Sequence, residues 1–182
     1  MKHLELFAGI GGFRRAMDLL TKDNIMKFHC VGYSEIDSKA ETTYRSNYSI
    51  DEDEIVMGDI VAFTNSKKNI KSLPDFDLLT GGFPCQTFSM MGKQAGFDED
   101  RGQMFFRIMD ILTIKKPKYV LLENVKNLRN HDKGRTFDRI KSELESIGYY
   151  VYADIFNILL KNDDQQHLLK RIYDIFKHVN SF

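Results

Sequence analysis

Leu4-Glu5-Leu6-Phe7-Ala8-Gly9-Ile10-Gly11-Gly12-Phe13 is the stretch on which the fold turns. A short apolar run over 4–8 ends in glycines, which reads as a buried strand, and residues 13–20 follow as a helix. Working outward, the same alternation repeats. Residues 30–34 form a second strand and 38–46 a helix; 55–57 and 76–80 are the third and fourth strands. Residues 103–115 are a helix with one apolar face, 119–123 a strongly apolar fifth strand, 136–147 a helix closed by Gly148, and 149–156 a sixth strand. Pro74, Pro84 and Pro117 each flank a strand, where they punctuate without breaking. Alternating strands and helices imply an α/β domain with a mostly parallel sheet. In such sheets ligands bind beyond the carboxyl ends of the strands. That singles out the 7–12 turn, Glu35, Asp59, Pro84-Cys85 and Glu123-Asn124.

The chain has 182 residues, enough for one domain with a sizeable core. Its 26 Lys and Arg balance 26 Asp and Glu, whereas free-standing nucleic-acid binders are more often basic. Any basic surface is therefore local, or a partner supplies the rest. The two cysteines, Cys30 and Cys85, form no CxxC and no Cys/His group at zinc spacing, so no metal is expected and the compartment is a reducing one. The first apolar stretch is short and interrupted by Glu5, unlike a signal peptide, and no run reaches membrane-spanning length. The expectation is a soluble, cytoplasmic protein.

Glycines at 9, 11 and 12 let the backbone turn tightly and approach a ligand. A dinucleotide fingerprint needs glycine at position 14, where this chain has Arg14, so a pyrophosphate cradle is disfavoured. The turn can equally hold the zwitterionic tail of a nucleoside-linked amino acid, or be a tight connection and nothing more. Glu35, at the end of the second strand, can accept hydrogen bonds from both ribose hydroxyls. Asp59, after the third, can accept from an exocyclic amine such as adenine N6. Each acid is alternatively a helix N-cap or a solvated turn residue. Together behind a glycine turn they describe an adenosine pocket without phosphate ligands.

Cys85 lies in Gly81-Gly82-Phe83-Pro84-Cys85-Gln86-Thr87-Phe88-Ser89, after a strand and a stiff proline turn that aims the thiol. Cys30 begins an apolar strand and reads as core. Glu123 stands at the mouth of a buried strand, where loss of hydration favours a neutral carboxyl able to share a proton with a ring nitrogen; capping the next helix or pairing with an arginine are the other readings. A thiolate adding at C6 of cytosine, with an acid at N3, makes C5 nucleophilic enough to take a methyl group. In a duplex, the base must first leave the stack.

These segments resemble the DNA cytosine-5 methyltransferases. FAGIGG (7–12), SEID (34–37), GDI (58–60), GGFPCQTFS (81–89) and ENV (123–125) match the family's motifs in order and spacing over roughly residues 2–157. The resemblance implies a Rossmann-like domain dependent on S-adenosylmethionine, acting on double-stranded DNA, with a role in restriction-modification. It makes Cys85 the nucleophile and Glu123 the contact to N3 and the exocyclic amine. Phe7, Gly9 and Gly11 would lie along the cofactor, Glu35 would hold the ribose and Ile36 would pack on adenine. Asp59 and Ile60 would read the adenine edge, and Met104 would line the same site. Ser89 would touch a DNA phosphate, and residues 90–102, with Arg101, resemble the mobile loop that closes over DNA.

The resemblance weakens after Asn157. The family's next motif carries Pro-Gln and two arginines before Ile-Tyr; here Arg171 precedes Ile172-Tyr173 and keeps the second, cytosine-contacting arginine, while Leu169 and His167 replace the first arginine and the glutamine. Leu168, Ile172, Ile175, Phe176 and Val179 recur at helical spacing, so 158–182 reads as a divergent amphipathic segment following a catalytic domain over 1–157. The family's target-recognition region has no counterpart, which leaves the fold incomplete at the C-terminus. The expectation is one subunit of a split enzyme, a truncated gene product or an expressed fragment, with a second subunit as one candidate source of target recognition. An inactive cofactor-binding remnant and an RNA cytosine-5 methyltransferase are the alternatives.

Overall fold

A computed structural model describes residues 1–84 and 104–155. Five strands are present: β1 (Lys2–Leu6), β2 (His29–Tyr33), β3 (Ile55–Val56), β4 (Leu78–Gly82) and β5 (Tyr119–Glu123). The helices are α1 (Gly12–Lys22), α2 (Ser38–Asn47), α3 (Ile60–Thr64), α4 (Lys67–Ser72), α5 (Met104–Lys115) and α6 (Arg135–Ser146). Two 3-10 turns, Lys126–Arg129 and His131–Gly134, connect β5 to α6. All strand pairs are parallel and the order is β3-β2-β1-β4-β5. The order reverses between β1 and β4, so the connections leaving these two strands diverge and open a crevice at their carboxyl ends.

β1 shows how the pleat sorts side chains. Leu4 and Leu6 point to one face, where with Leu79 they pack against Phe105, Ile108 and Ile111 of α5. Fully burying each such side chain contributes roughly 1.5–3 kcal/mol. Leu78 points to the other face, against Met17 and Leu20 of α1. His3 and Glu5 alternate with the leucines and are fully enclosed. Buried polar groups need partners. His3 Nε2 is 2.7 Å from the Thr80 hydroxyl, and Glu5 belongs to a network described below.

Most expected elements are present with ends shifted by one or two residues, as α-helix and strand ends fray. Three differences matter. β4 runs to Gly82 rather than stopping at Thr80, so Phe83-Pro84 begins at the strand's end. The short helices α3 and α4 lie between the third and fourth strands, where the residues suggested no element; one or two turns are too few to show a hydrophobic period. The sixth strand is absent over 149–155, the described part of it. Tyr149 instead closes α6, its N–H donating to Leu144 O (3.1 Å) and its hydroxyl to Pro117 O (2.7 Å), while Tyr150 and Tyr152 are exposed. A strand's hydrogen bonds must come from a neighbouring strand, and β5 pairs only with β4 among the described residues.

Candidate functional site

The glycine turn is held from the β2 side. Phe7 N–H donates to Ser34 Oγ (3.1 Å), Ala8 N–H to Ser34 O (2.9 Å) and Gly9 N–H to Glu35 Oε2 (2.7 Å). Phe7, Gly9 and Gly11 all have positive φ (54°, 57° and 90°). For Phe7 that conformation is strained, of order 1–3 kcal/mol, and the bonds to Ser34 hold it. A side chain on Gly9 would meet nothing within 4 Å, so this part of the turn faces open space. Gly11 is the opposite case. A Cβ there would lie 2.2 Å from the Tyr48 ring, whose hydroxyl donates to Gly11 O (2.7 Å). Tyr48 therefore forms the back of the turn, a role sequence reading missed because nothing local marks it.

Glu35 is neither a helix cap nor free. Its Oε1 accepts from Ile36 N–H (2.9 Å) and Asp37 N–H (2.7 Å), and Oε2 from Gly9. Three of the roughly four acceptor positions of a carboxylate are thus filled. Asp37, not Glu35, caps α2, accepting from Lys39 and Ala40 N–H. Asp59 caps α3 through Oδ1 to Val61 N–H (2.8 Å), which leaves Oδ2 without a partner among the described residues. Ile36 is 75% exposed, whereas Ile60 is buried in the main core and has only main chain to offer at this edge. Met104 opens α5 and packs against that same core.

Arg14, read in sequence only as a break in the dinucleotide pattern, is a core residue. Its guanidinium makes a bidentate pair with Glu54 (2.7 and 2.8 Å) and donates to Ser49 O (2.9 Å). It also reaches the Tyr44 hydroxyl (3.2 Å), which donates to Glu5 Oε2 (3.1 Å). Arg14 N–H itself donates to Glu5 Oε1 (3.3 Å). Burial pushes the Glu5 carboxyl up to about 7, against smaller opposing effects of Tyr44 and Arg14. Burial, with Arg14 nearby, lowers His3 to about 3. For Arg14, burial opposes its charge but the Glu54 and Tyr44 hydrogen bonds outweigh it, so it stays protonated. The network ties the first turn of α1, and so the glycine turn, to α2 and the segment before β3.

Across the crevice, β4 and β5 end side by side, with Gly82 and Glu123 as register partners. Asn124 Nδ2 donates to Phe83 O (2.6 Å) and pins the exit of β4, which leads through Pro84 to Cys85. Glu123 is exposed rather than enclosed, and β5 is an edge strand among the described residues. An open cavity of about 660 Å³ is lined by Phe7, Phe13, Gly82, Phe83, Glu123 and Asn124, and continues along β5. The fold thus brings Phe7 and Glu123 to one cavity. Gly9, Gly11, Glu35, Ile36, Asp59, Ile60 and Met104 are not part of its wall. Cys85, Ser89, Arg101 and Arg171 lie outside the described residues. Cys30, expected to be core, is half-buried; burial pushes its thiol up to about 12, and it donates to Gly32 O (3.5 Å).

Type II methyltransferase M1.ScrFI of Lactococcus lactis subsp. cremoris is 48% identical over 155 residues, which are 85% of this chain and 36% of that protein. Type II methyltransferase M.HhaI of Haemophilus parahaemolyticus is 39% identical over 175 residues, 96% of this chain and 48% of that protein. A solved structure of Spodoptera frugiperda DNMT2 superposes with a TM-score of 0.55 at 26% identity, covering 78% of this chain and 40% of that one. Entamoeba histolytica methyltransferase EhMeth shares the fold, with a TM-score of 0.59 at 24% identity over 82% of this chain and 45% of that one. The chain spans less than half the length of these curated relatives. Among the described residues, no helix is long and apolar enough to cross a membrane. A model of the C-5 cytosine-specific DNA methylase family matches residues 1–166, more than half of the chain, and the chain belongs to that family.

Proposed function

We propose that this chain is the cofactor-binding and catalytic part of a protein that methylates C5 of cytosine in DNA. The observation that carries the proposal is the pairing of Gly82 with Glu123, which puts the strand leading to Cys85 beside the Glu123 carboxylate, at the crevice where the sheet order reverses. Membership of the C-5 cytosine-specific DNA methylase family supports the same activity.

The residues of the glycine-turn side suit S-adenosylmethionine. Open space at Gly9, the remaining outward acceptor position of Glu35, the exposed Ile36 and the unpartnered Oδ2 of Asp59 match a ribose, an apolar ring face and an exocyclic amine. Arg14 is committed to Glu54 inside the core, so it is no phosphate ligand. When bound, the cofactor supplies an electrophilic methyl group on a positively charged sulfur. The Cys85 thiolate adds to C6 of a cytosine swung out of the duplex, while Glu123 holds N3 and the exocyclic amine. C5 would then gain the electron density to bond the methyl carbon as its bond to the sulfonium sulfur breaks and a neutral thioether leaves. Loss of the C5 proton expels the thiolate and restores the aromatic ring. Arg171 is a further candidate for the cytosine contact, Ser89 and Arg101 for the DNA, and Met104 for the cofactor. Target recognition would come from a further part of the protein or from a second subunit.

A duplex carrying 5-fluorocytosine blocks the last proton loss and should trap a denaturation-resistant protein–DNA adduct with cofactor present. Cys85→Ser should abolish it and Glu123→Gln should slow it by about 10²-fold or more. A chain that binds both cofactor and duplex yet forms no adduct would establish instead a cofactor-binding role without catalysis. Separately, Glu35→Ala should weaken cofactor binding measured by calorimetry, and an unchanged affinity removes Glu35 from the site.

A further inference from the structure

One local excess of basic side chains lies beside Glu123 on a chain that is neutral as a whole. Residues 126–135, from the end of β5 to the first residue of α6, hold Lys126, Arg129, Lys133 and Arg135 against the single acid Asp132, while the full chain balances 26 against 26. All four basic residues are exposed. At the other edge of the sheet, the segment leading into β3 holds the exposed acids Asp51, Glu52 and Asp53. Exposed acids thus gather before β3 and exposed basic residues beside Glu123, with a second basic group, Lys67, Lys68 and Lys71, on α4.

The turn is built to hold that display. Asp132, Lys133 and Gly134 have consecutive positive φ values of 51°, 58° and 89°. Two successive non-glycine residues in this region are strained and persist only where surrounding bonds enforce them. Here Arg135 pairs with the Asp132 carboxylate and donates through Nε to Asp132 O (3.2 Å). His131 Nδ1 meets the Thr136 hydroxyl at 2.7 Å. Arg135 is spent inside the turn. Lys126 and Lys133 carry no hydrogen bond or ion pair among the described residues, and Arg129 lies over the Phe137 ring at 5.9 Å. Lys126 and Arg129 also border the cavity that Glu123 lines.

We propose that Lys126, Arg129 and Lys133 form a phosphate-contact surface that seats the backbone of duplex DNA beside the Glu123 cavity. This rests on the reading of the chain as a DNA cytosine methyltransferase. Flexible lysines and an arginine held on an aromatic face suit phosphates, which fix register without reading sequence. The acidic edge near β3 repels the same polyanion, so the duplex is steered to the β5 side.

The test is fluorescence anisotropy of the full chain with labelled duplexes of two unrelated sequences, over a range of salt concentrations. Each phosphate contact contributes about 0.9 to the slope of log K against log salt. Lys126→Ala/Lys133→Ala should lower that slope by about 2 and weaken binding roughly tenfold, equally for both sequences. Lys68→Ala, an exposed lysine on α4, should leave the slope unchanged. Cofactor affinity by calorimetry should be the same in all forms. An unaltered slope in the double variant overturns the proposal, as does a parent chain that binds no duplex at low salt. Weakened binding of single-stranded RNA, with duplex DNA unaffected, overturns it too. The fluorocytosine adduct separates the two readings: an adduct with no slope change rejects the phosphate surface alone, while a slope change with no adduct rejects catalysis and leaves the surface standing.

Discussion

Gly82 on β4 and Glu123 on β5 are register partners, and a Cβ added at Gly82 would lie 3.2 Å from Glu123 Oε2. The glycine thus clears the position of the carboxylate. Gly82→Ala should turn Glu123 aside by a few tenths of an ångström while the sheet stays intact. Small misplacements of a catalytic group are expensive, so under the role proposed for Glu123 the rate of adduct formation with a fluorocytosine duplex should fall about tenfold. Cofactor affinity should not change. A full-rate Gly82→Ala enzyme would separate Glu123 geometry from catalysis.

The buried pair of Arg14 and Glu54 should act as a unit in stability. Glu54 has a side chain only 1% exposed, so Arg14→Met leaves a buried carboxylate without its partner. That should cost about 3–5 kcal/mol, read from urea denaturation. Arg14→Met/Glu54→Met removes both charges and should cost clearly less than the two single changes added together. Strict additivity would mean that the two residues are not coupled.

Gly11 should tolerate no side chain. Its φ of 90° and the Tyr48 ring 2.2 Å from a would-be Cβ act together. Gly11→Ala should lower stability by about 2 kcal/mol, a fall in Tm of roughly 4–8 °C. Adding Tyr48→Ala should relieve the clash but not the backbone strain, so the Tm penalty of Gly11→Ala should be smaller in that background without disappearing.

His3 and Glu5 should give opposing pH dependences. His3 has a folded pKa of about 3 against an ordinary 6.5, so the unfolded chain binds the extra proton and stability rises with pH across that window. Glu5 has a folded pKa of about 7 against an ordinary 4.5, so the folded chain keeps the proton and stability falls as pH climbs between those values. Each slope reaches about 1.4 kcal/mol per pH unit at most, and the two largely offset one another where they overlap. Glu5→Gln should expose the rise below pH 6.5, and His3→Gln the fall above pH 4.5, both visible in denaturation midpoints across pH. Parallel pH profiles in the two variants would contradict these burial-driven shifts.

Local chemistry made much of this molecule legible from its residues. Strand β5 has the bounds its apolar run implies, and Phe7, Glu35, Asp59 and Glu123 stand at or just beyond strand ends, because hydrophobic period and turn residues act over a few positions. The family motifs are equally local, being unbroken words of three to nine residues. What the three-dimensional arrangement alone decided are the partnerships between distant positions: Glu35 on Gly9 across 26 residues, Tyr48 behind Gly11 across 37, and Arg14 with Glu54 across 40. An acid, a tyrosine or an arginine suits many partners, and which one it meets depends on the strand order. That order places β2 beside β1 and lets the sheet reverse at β4, and only then does Arg14 become a core residue and Gly82 a neighbour of Glu123.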